Sequence, residues 1–152
     1  QRIVEKVLDK TTNPKMNLAK AVLLIEKVKE EAARMGVQAV VAVSNEAARP
    51  IAIHCMDDSY IASFDIAVNK AYTVAALKMS TLKLKELSQP GNSLYGIQFT
   101  NDGKIVIFGG GVPLFHKGKL IGGLGVSGGT EEQDSALAEY GEKCLEEVMK
   151  WQ

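Results

Sequence analysis

The side chains able to ligate a transition metal are few: His54, His116, Met56, Cys55 and Cys144. Such sites draw on imidazole, thiolate and thioether groups, usually several at a set spacing. Here the histidines are far apart in sequence and no CxxC occurs. Side chains alternate faces along a strand, so His54 shares a face with Ala52 and Met56, opposite Ile51, Ile53 and Cys55. His54 is therefore the sharper metal candidate. A hydrogen-bonded, partly buried histidine is the plainer reading of an imidazole without a partner at ligand spacing. His116 is the second metal candidate. It adjoins Lys117-Gly118, an expected hairpin tip, where the plainer reading is an exposed turn residue. Asp57, Asp58, Glu131 and Asp134 could do acid–base work, yet each also has a helix-capping explanation. No nucleophile is paired with a base, so no catalytic residue is assigned and a binding role is expected over an enzymatic one.

The second chemical resource is backbone. Nine of the fourteen glycines lie between Gly109 and Gly129. So dense a cluster implies backbone shapes that a side chain would forbid. Gly123 to Gly128 spells GxGxxG, but no second strand with an acidic ribose-binding residue follows. Gly125 to Gly129 spells GxSxG, but both histidines precede Ser127, the wrong order for a hydrolase. What remains is a strand leaving a sheet at Ser127 to Thr130, with room for a positive φ at Gly128 or Gly129. Amides of Gly109, Gly110, Gly111, Gly128 and Gly129, with the following helix start, could hold an anion.

The elements that must position these groups follow from periodicity. Residues 1–16 are a lead-in in which Ile3, Val4, Val7 and Leu8 have helical spacing, and residues 17–152 read as one domain. Leu18, Val22, Ile25, Val28, Ala32 and Met35 predict an amphipathic helix over 17–35, stopped by Gly36. Strands are predicted over 37–44 and 50–56, forming a hairpin. Asp57 to Ser59 cap a helix over 60–79, and a short helical piece starts at Ser80-Thr81. Strands are predicted over 94–100 and 104–108 around Asn101-Asp102-Gly103, and over 112–116 and 120–126 around Lys117-Gly118. A last helix covers 130–150, with Thr130 and Gln133 at capping-box spacing. Short links make the sheet antiparallel, with helices packed on it: an α+β fold.

The run GGGVPL from Gly109, the Lys117-Gly118 turn and LIGGLGVSGGTEEQD ending at Asp134 resemble the GlcG/HbpS family of haem-degrading or haem-binding domains. Met56-Asp57-Asp58-Ser59, leading into a helix with Lys70-Ala71, resembles that family's upstream segment. The resemblance covers about Asn17 to Met149. It extends to the C-terminal domain of propanediol-utilisation cobalamin adenosyltransferases. The chain departs from the pattern at SNEAAR, where the family carries Asp and Gly, and at His54-Cys55, where it carries Arg before Met-Asp. The resemblance implies a profilin-like sheet of about five strands and haem as cofactor. Iron takes His, Cys, Met or Tyr as axial ligand, so His54 and Met56 become the haem-side candidates. Lys70 is the family's lysine, to be weighed as a ligand contact against a snorkelling surface residue. The glycine amides become a cradle for a carboxylate or propionate.

Composition excludes other classes. The 18 basic and 18 acidic residues cancel, so no basic field points to nucleic acid or an anionic membrane. No apolar run is long enough for a membrane helix. Two lone cysteines fit a reducing, cytoplasmic setting. The expectation is a cytoplasmic tetrapyrrole-binding accessory or sensor module tied to small-molecule catabolism, assembling as an even-numbered homo-oligomer. The alternative is a cofactor-free oligomer-forming assembly domain of a propanediol or glycolate utilisation system.

Overall fold

A computed structural model describes residues 14–151. The helical spacing at Ile3 to Leu8 lies outside the described residues. Helix α1, Leu18–Arg34, starts where the Asn17 side chain accepts from Lys20 N at 2.8 Å. It buries Ala21, Leu24, Ile25, Val28 and Ala32. The stripe is thus rotated from the predicted one, and Leu18 stands 61% exposed. Gly36, at φ 73°, ends the turn.

Strands β1, Val40–Asn45, and β2, Pro50–Cys55, form the predicted hairpin, with Val41 opposite His54. The Asn45 side chain closes the loop by accepting from Ala47 N and Arg49 N. Helix α2, Ser63–Leu77, begins later than predicted, because its N-cap is Ala62 and carries no side-chain cap bond. Asp57 and Ser59 do not cap it. Helix α3, Thr81–Leu87, is capped by Ser80.

The strands predicted over 94–100 and 104–108 do not form. Residues Ile97–Phe99 and Asn101–Gly103 make short 3-10 turns instead. Asn101, Asp102 and Gly103 all have positive φ, which coils the chain rather than extending it. Val106 N is satisfied by Thr73 Oγ1 on α2 at 3.0 Å, not by a strand neighbour. Strands β3, Gly111–His116, and β4, Lys119–Ser127, form the second hairpin. Four strands pair among the described residues, in the order β2-β1-β4-β3, all antiparallel. Helix α4, Glu131–Lys150, opens with the predicted Thr130–Gln133 capping box.

The sheet is covered on both faces. Helices α1 and α4 enclose the main core with Val41, Val43, Leu124 and Val126. On the other face α2 packs Ala67 and Ala71 against Val40 and Ala42. Glycine makes that approach possible: a Cβ at Gly125 would stand 2.1 Å from the Ala67 carbonyl oxygen.

Candidate functional site

The sequence-predicted site residues fall in three separate places. His54 and Met56 lie on the α1 side of the sheet. The His54 side chain is 30% exposed, and its Nδ1 lies 3.2 Å from Lys29 Nζ and 3.5 Å from Glu26 Oε1. Lys29 also bonds Glu26 at 2.9 Å, and chiefly that bond holds the Glu26 carboxyl below its usual pKa. An ammonium only donates, so in the neutral imidazole the Lys29 contact makes Nδ1 the acceptor and puts the proton on Nε2. Met56 is committed elsewhere. Its sulfur accepts from Ala39 N at 3.4 Å, and the side chain packs on the main core.

Lys70 lies on the opposite face and is fully buried rather than snorkelling. Its ammonium donates to the Val126 carbonyl at 2.7 Å, sits 3.5 Å from Asp134 Oδ2 and lies 5.0 Å from the centre of the Phe108 ring. Burial pushes the lysine below its usual pKa, opposed chiefly by Asp134. Burial likewise raises Asp134, opposed by the Gly129 amide and by Lys70. Both shifts have one cause, the cost of holding charge away from water.

The glycine blocks enclose this pair, and their amides are largely taken. Gly109 N donates to Glu131 Oε2 at 2.8 Å, Gly111 N to Thr81 Oγ1 at 2.9 Å, and Gly129 N to Asp134 Oδ1 at 2.8 Å. Gly128 N makes a longer contact of 3.4 Å with Asp134. The chain's own acids fill the cradle expected for a ligand carboxylate. Gly110, at φ 120°, is required for space as well: a Cβ there would meet Lys70 Nζ at 2.5 Å. Neither Gly128 nor Gly129 has positive φ. Gly128 is needed because a Cβ would meet the Gln38 carbonyl oxygen at 2.5 Å.

His116 is not an exposed turn residue. It is buried, and its Nδ1 lies 3.0 Å from Glu146 Oε1 on α4. The sheet order puts β2 and β3 at opposite edges. Three strand spacings, about 14 Å, separate the two histidines' strands, so one metal ion cannot use both. Among the described residues no group of three or more His, Cys, Asp or Glu is placed to hold a metal. No described helix is long and apolar enough to cross a membrane.

Glu26, Lys29, Thr81 and Glu146 were missed as partners because each meets its site across the fold. Glu131 and Asp134 were visible only as first-turn acids; their second task, accepting glycine amides, had no local signal.

A family model described as haem degrading protein HbpS-like matches residues 16–143. The chain belongs to this family. A 15.0 kDa Citrobacter freundii protein of the dhaT-dhaS intergenic region is 43% identical over 133 residues, 88% of this chain and 94% of that one. The corrinoid adenosyltransferase PduO of Salmonella typhimurium is 40% identical over 110 residues, 72% of this chain. The matched part spans only 33% of that enzyme. Among solved structures, PduOC in complex with haem superposes with a TM-score of 0.82 at 35% identity, covering 85% of this chain and 94% of that one. The α+β architecture is thus shared with a family whose members include PduO-related domains.

Proposed function

We propose that this HbpS-like domain binds haem or a related tetrapyrrole, as a cytoplasmic accessory or sensor module of small-molecule catabolism. The observation that carries the reading is the likeness to PduOC, solved with haem, over most of both chains. The donor set fits in part. His54 is the more accessible imidazole, its side chain 30% exposed against 10% for His116. Lys29 beside it supplies a cation suited to a propionate. Met56, Lys70 and the glycine amides already have partners within the fold, so the proposed ligand set narrows to His54; Lys29, itself bonded to Glu26 at 2.9 Å, would reach a propionate only by leaving that pair.

Bound haem supplies iron for ligand-binding or redox chemistry. The chain's part is to present a lone pair at His54 Nε2. That requires the proton on Nδ1, so ligation would exchange the Lys29 contact at 3.2 Å for one to Glu26, whose Oε1 stands 3.5 Å away. Titrating haemin into the purified protein tests the reading. A saturable, shifted Soret band at one haem per chain or per pair of chains supports it. An unshifted, non-saturating spectrum removes it.

A second reading, self-assembly, is favoured by exposed apolar side chains. Ile61 is 97%, Phe99 83% and Tyr60 73% exposed. Such a surface suits burial against further copies of the chain. The PduO relationship makes a propanediol-utilisation setting the natural context, with no adenosyltransferase activity attributed to this chain.

A further inference from the structure

Around helix α2 the buried hydroxyls donate to backbone carbonyls: Ser44 to Ala71 O at 3.1 Å, and Thr73 to Asn69 O at 2.7 Å. Ser63 and Ser127 differ. Ser63 opens α2 and Ser127 ends β4, and they are only 3% and 6% exposed. Strand alternation puts Ser127 on the α2 face of the sheet, with Gly123 and Gly125. Its hydroxyl donates to Ser63 Oγ at 3.3 Å. Two hydroxyls carry two protons, and this bond uses one. The Ser63 proton has no acceptor among the described residues, and a buried donor left unpaired is costly.

Both serines line a cavity of about 270 Å³ between the start of α2, Phe108, the end of β4 and the first turn of α4. Ile66, one turn from Ser63 on the same helix face, and Phe108 give it apolar walls. The acids on its α4 side already have partners. Glu131 meets Lys85 at 2.5 Å and accepts from Gly109 N. Asp134 accepts from Gly129 N and faces Lys70 at 3.5 Å. Lys70 has no exposed surface, and the Phe108 ring lies 5.0 Å from its ammonium. The cavity therefore presents no uncompensated charge. It presents a hydroxyl pair that can give one hydrogen bond and accept another, beside hydrocarbon.

We infer that this cavity binds a small neutral alcohol, whose hydroxyl bridges Ser63 and Ser127 while its hydrocarbon body lies against Ile66 and Phe108. An alcohol both accepts and donates at one oxygen, which matches the pair. A carbonyl would use only the donor, and a carboxylate would lie against Glu131 and Asp134. The volume falls below the roughly 300–1,000 Å³ of common ligand sites, which restricts the occupant to a short chain or a single ring. A tetrapyrrole is too large for it, and His54 lies on the other face of the sheet, so this site is independent of the haem reading.

The test titrates the full chain with benzyl alcohol, toluene, benzylammonium and benzoate at neutral pH, followed by amide NMR. Benzyl alcohol should bind saturably, with shifts clustered at Ser63, Ile66, Phe108 and Gly128. Toluene should bind about three- to tenfold more weakly, the net worth of one hydrogen bond. Neither ion should match the alcohol. Ser63→Ala with Ser127→Ala removes both partners of the pair together, a change that leaves the fold nearly as stable. It should lower the alcohol to the affinity of toluene and leave toluene unchanged. Equal affinity for toluene and the alcohol in the parent, preference for either ion, no saturable binding, or unchanged alcohol affinity in the double variant would each overturn the assignment.

Discussion

Replacing Lys70 with methionine removes a buried ammonium while keeping the length of the side chain. In the parent that ammonium satisfies the Val126 carbonyl at 2.7 Å and faces Asp134 at 3.5 Å, with the lysine wholly shielded from water. The variant leaves Asp134, itself only 4% exposed, without its cation. Breaking a buried pair in this way costs about 3–5 kcal/mol. Methionine fills the apolar part of the space, and Gly129 N still donates to Asp134, so the expected loss is near the low end, about 3 kcal/mol. Adding Asp134→Asn removes the stranded charge while an amide oxygen can still accept from Gly129. The double variant should therefore be more stable than the sum of the singles by about 1–2 kcal/mol.

Urea denaturation followed by circular dichroism measures both quantities. A pH series adds a second signature. Lys70 has a lowered pKa in the fold, so between that value and the ordinary lysine value the unfolded chain holds more protons. Stability of the parent should therefore rise with pH through that window, and this rise should vanish in Lys70→Met. If the single variant unfolds within about 0.5 kcal/mol of the parent, a span typical of inconsequential surface changes, the buried pair contributes nothing to stability.

Gly125→Ala drives a Cβ to within 2.1 Å of the Ala67 carbonyl oxygen and 2.7 Å of Ala71 N. It should cost at least about 1–3 kcal/mol in a denaturation assay. Gly118→Ala, at φ 77° with open space around it, should cost only about 1 kcal/mol; equal losses would show that α2 has room to retreat. Asp134→Asn should abolish the fall in stability that the parent shows as pH rises from the ordinary carboxyl value through the raised pKa of Asp134, read by urea denaturation across that range; an unchanged fall would assign it to another group. The sign follows from linkage: stability from this group is present at low pH and declines as pH rises through the raised pKa. Sedimentation at micromolar concentration should show an even-numbered oligomer, and Ile61→Glu should dissociate it. A monomeric parent would leave the exposed Ile61 and Tyr60 without that explanation.

Local signals carried far in this sequence. The Thr130–Gln133 cap, the Gly36 stop and both hairpins were legible because each depends on residues close in the chain. The α1 stripe was legible only in part, since Leu18 has helical spacing yet lies beyond the reach of the sheet. Residues 94–108 misled because apolar runs flanking Asn-Asp-Gly look like a hairpin. Three consecutive left-handed residues and a bond from Val106 to Thr73 settle the segment differently. At the site, His54 and Lys70 were identifiable by type, but their roles depend on Glu26, Lys29 and Asp134, which sequence spacing does not bring near. His116 was misplaced for the same reason: only the packing of α4 on β3 supplies Glu146.

Binding of a tetrapyrrole iron through His54 is tested by a haemin titration of the parent, His54→Ala and His116→Ala, read at the Soret band. A saturable shifted band is expected in the parent and in His116→Ala, and its loss or displacement in His54→Ala. An unchanged spectrum in His54→Ala, or loss only in His116→Ala, would contradict it.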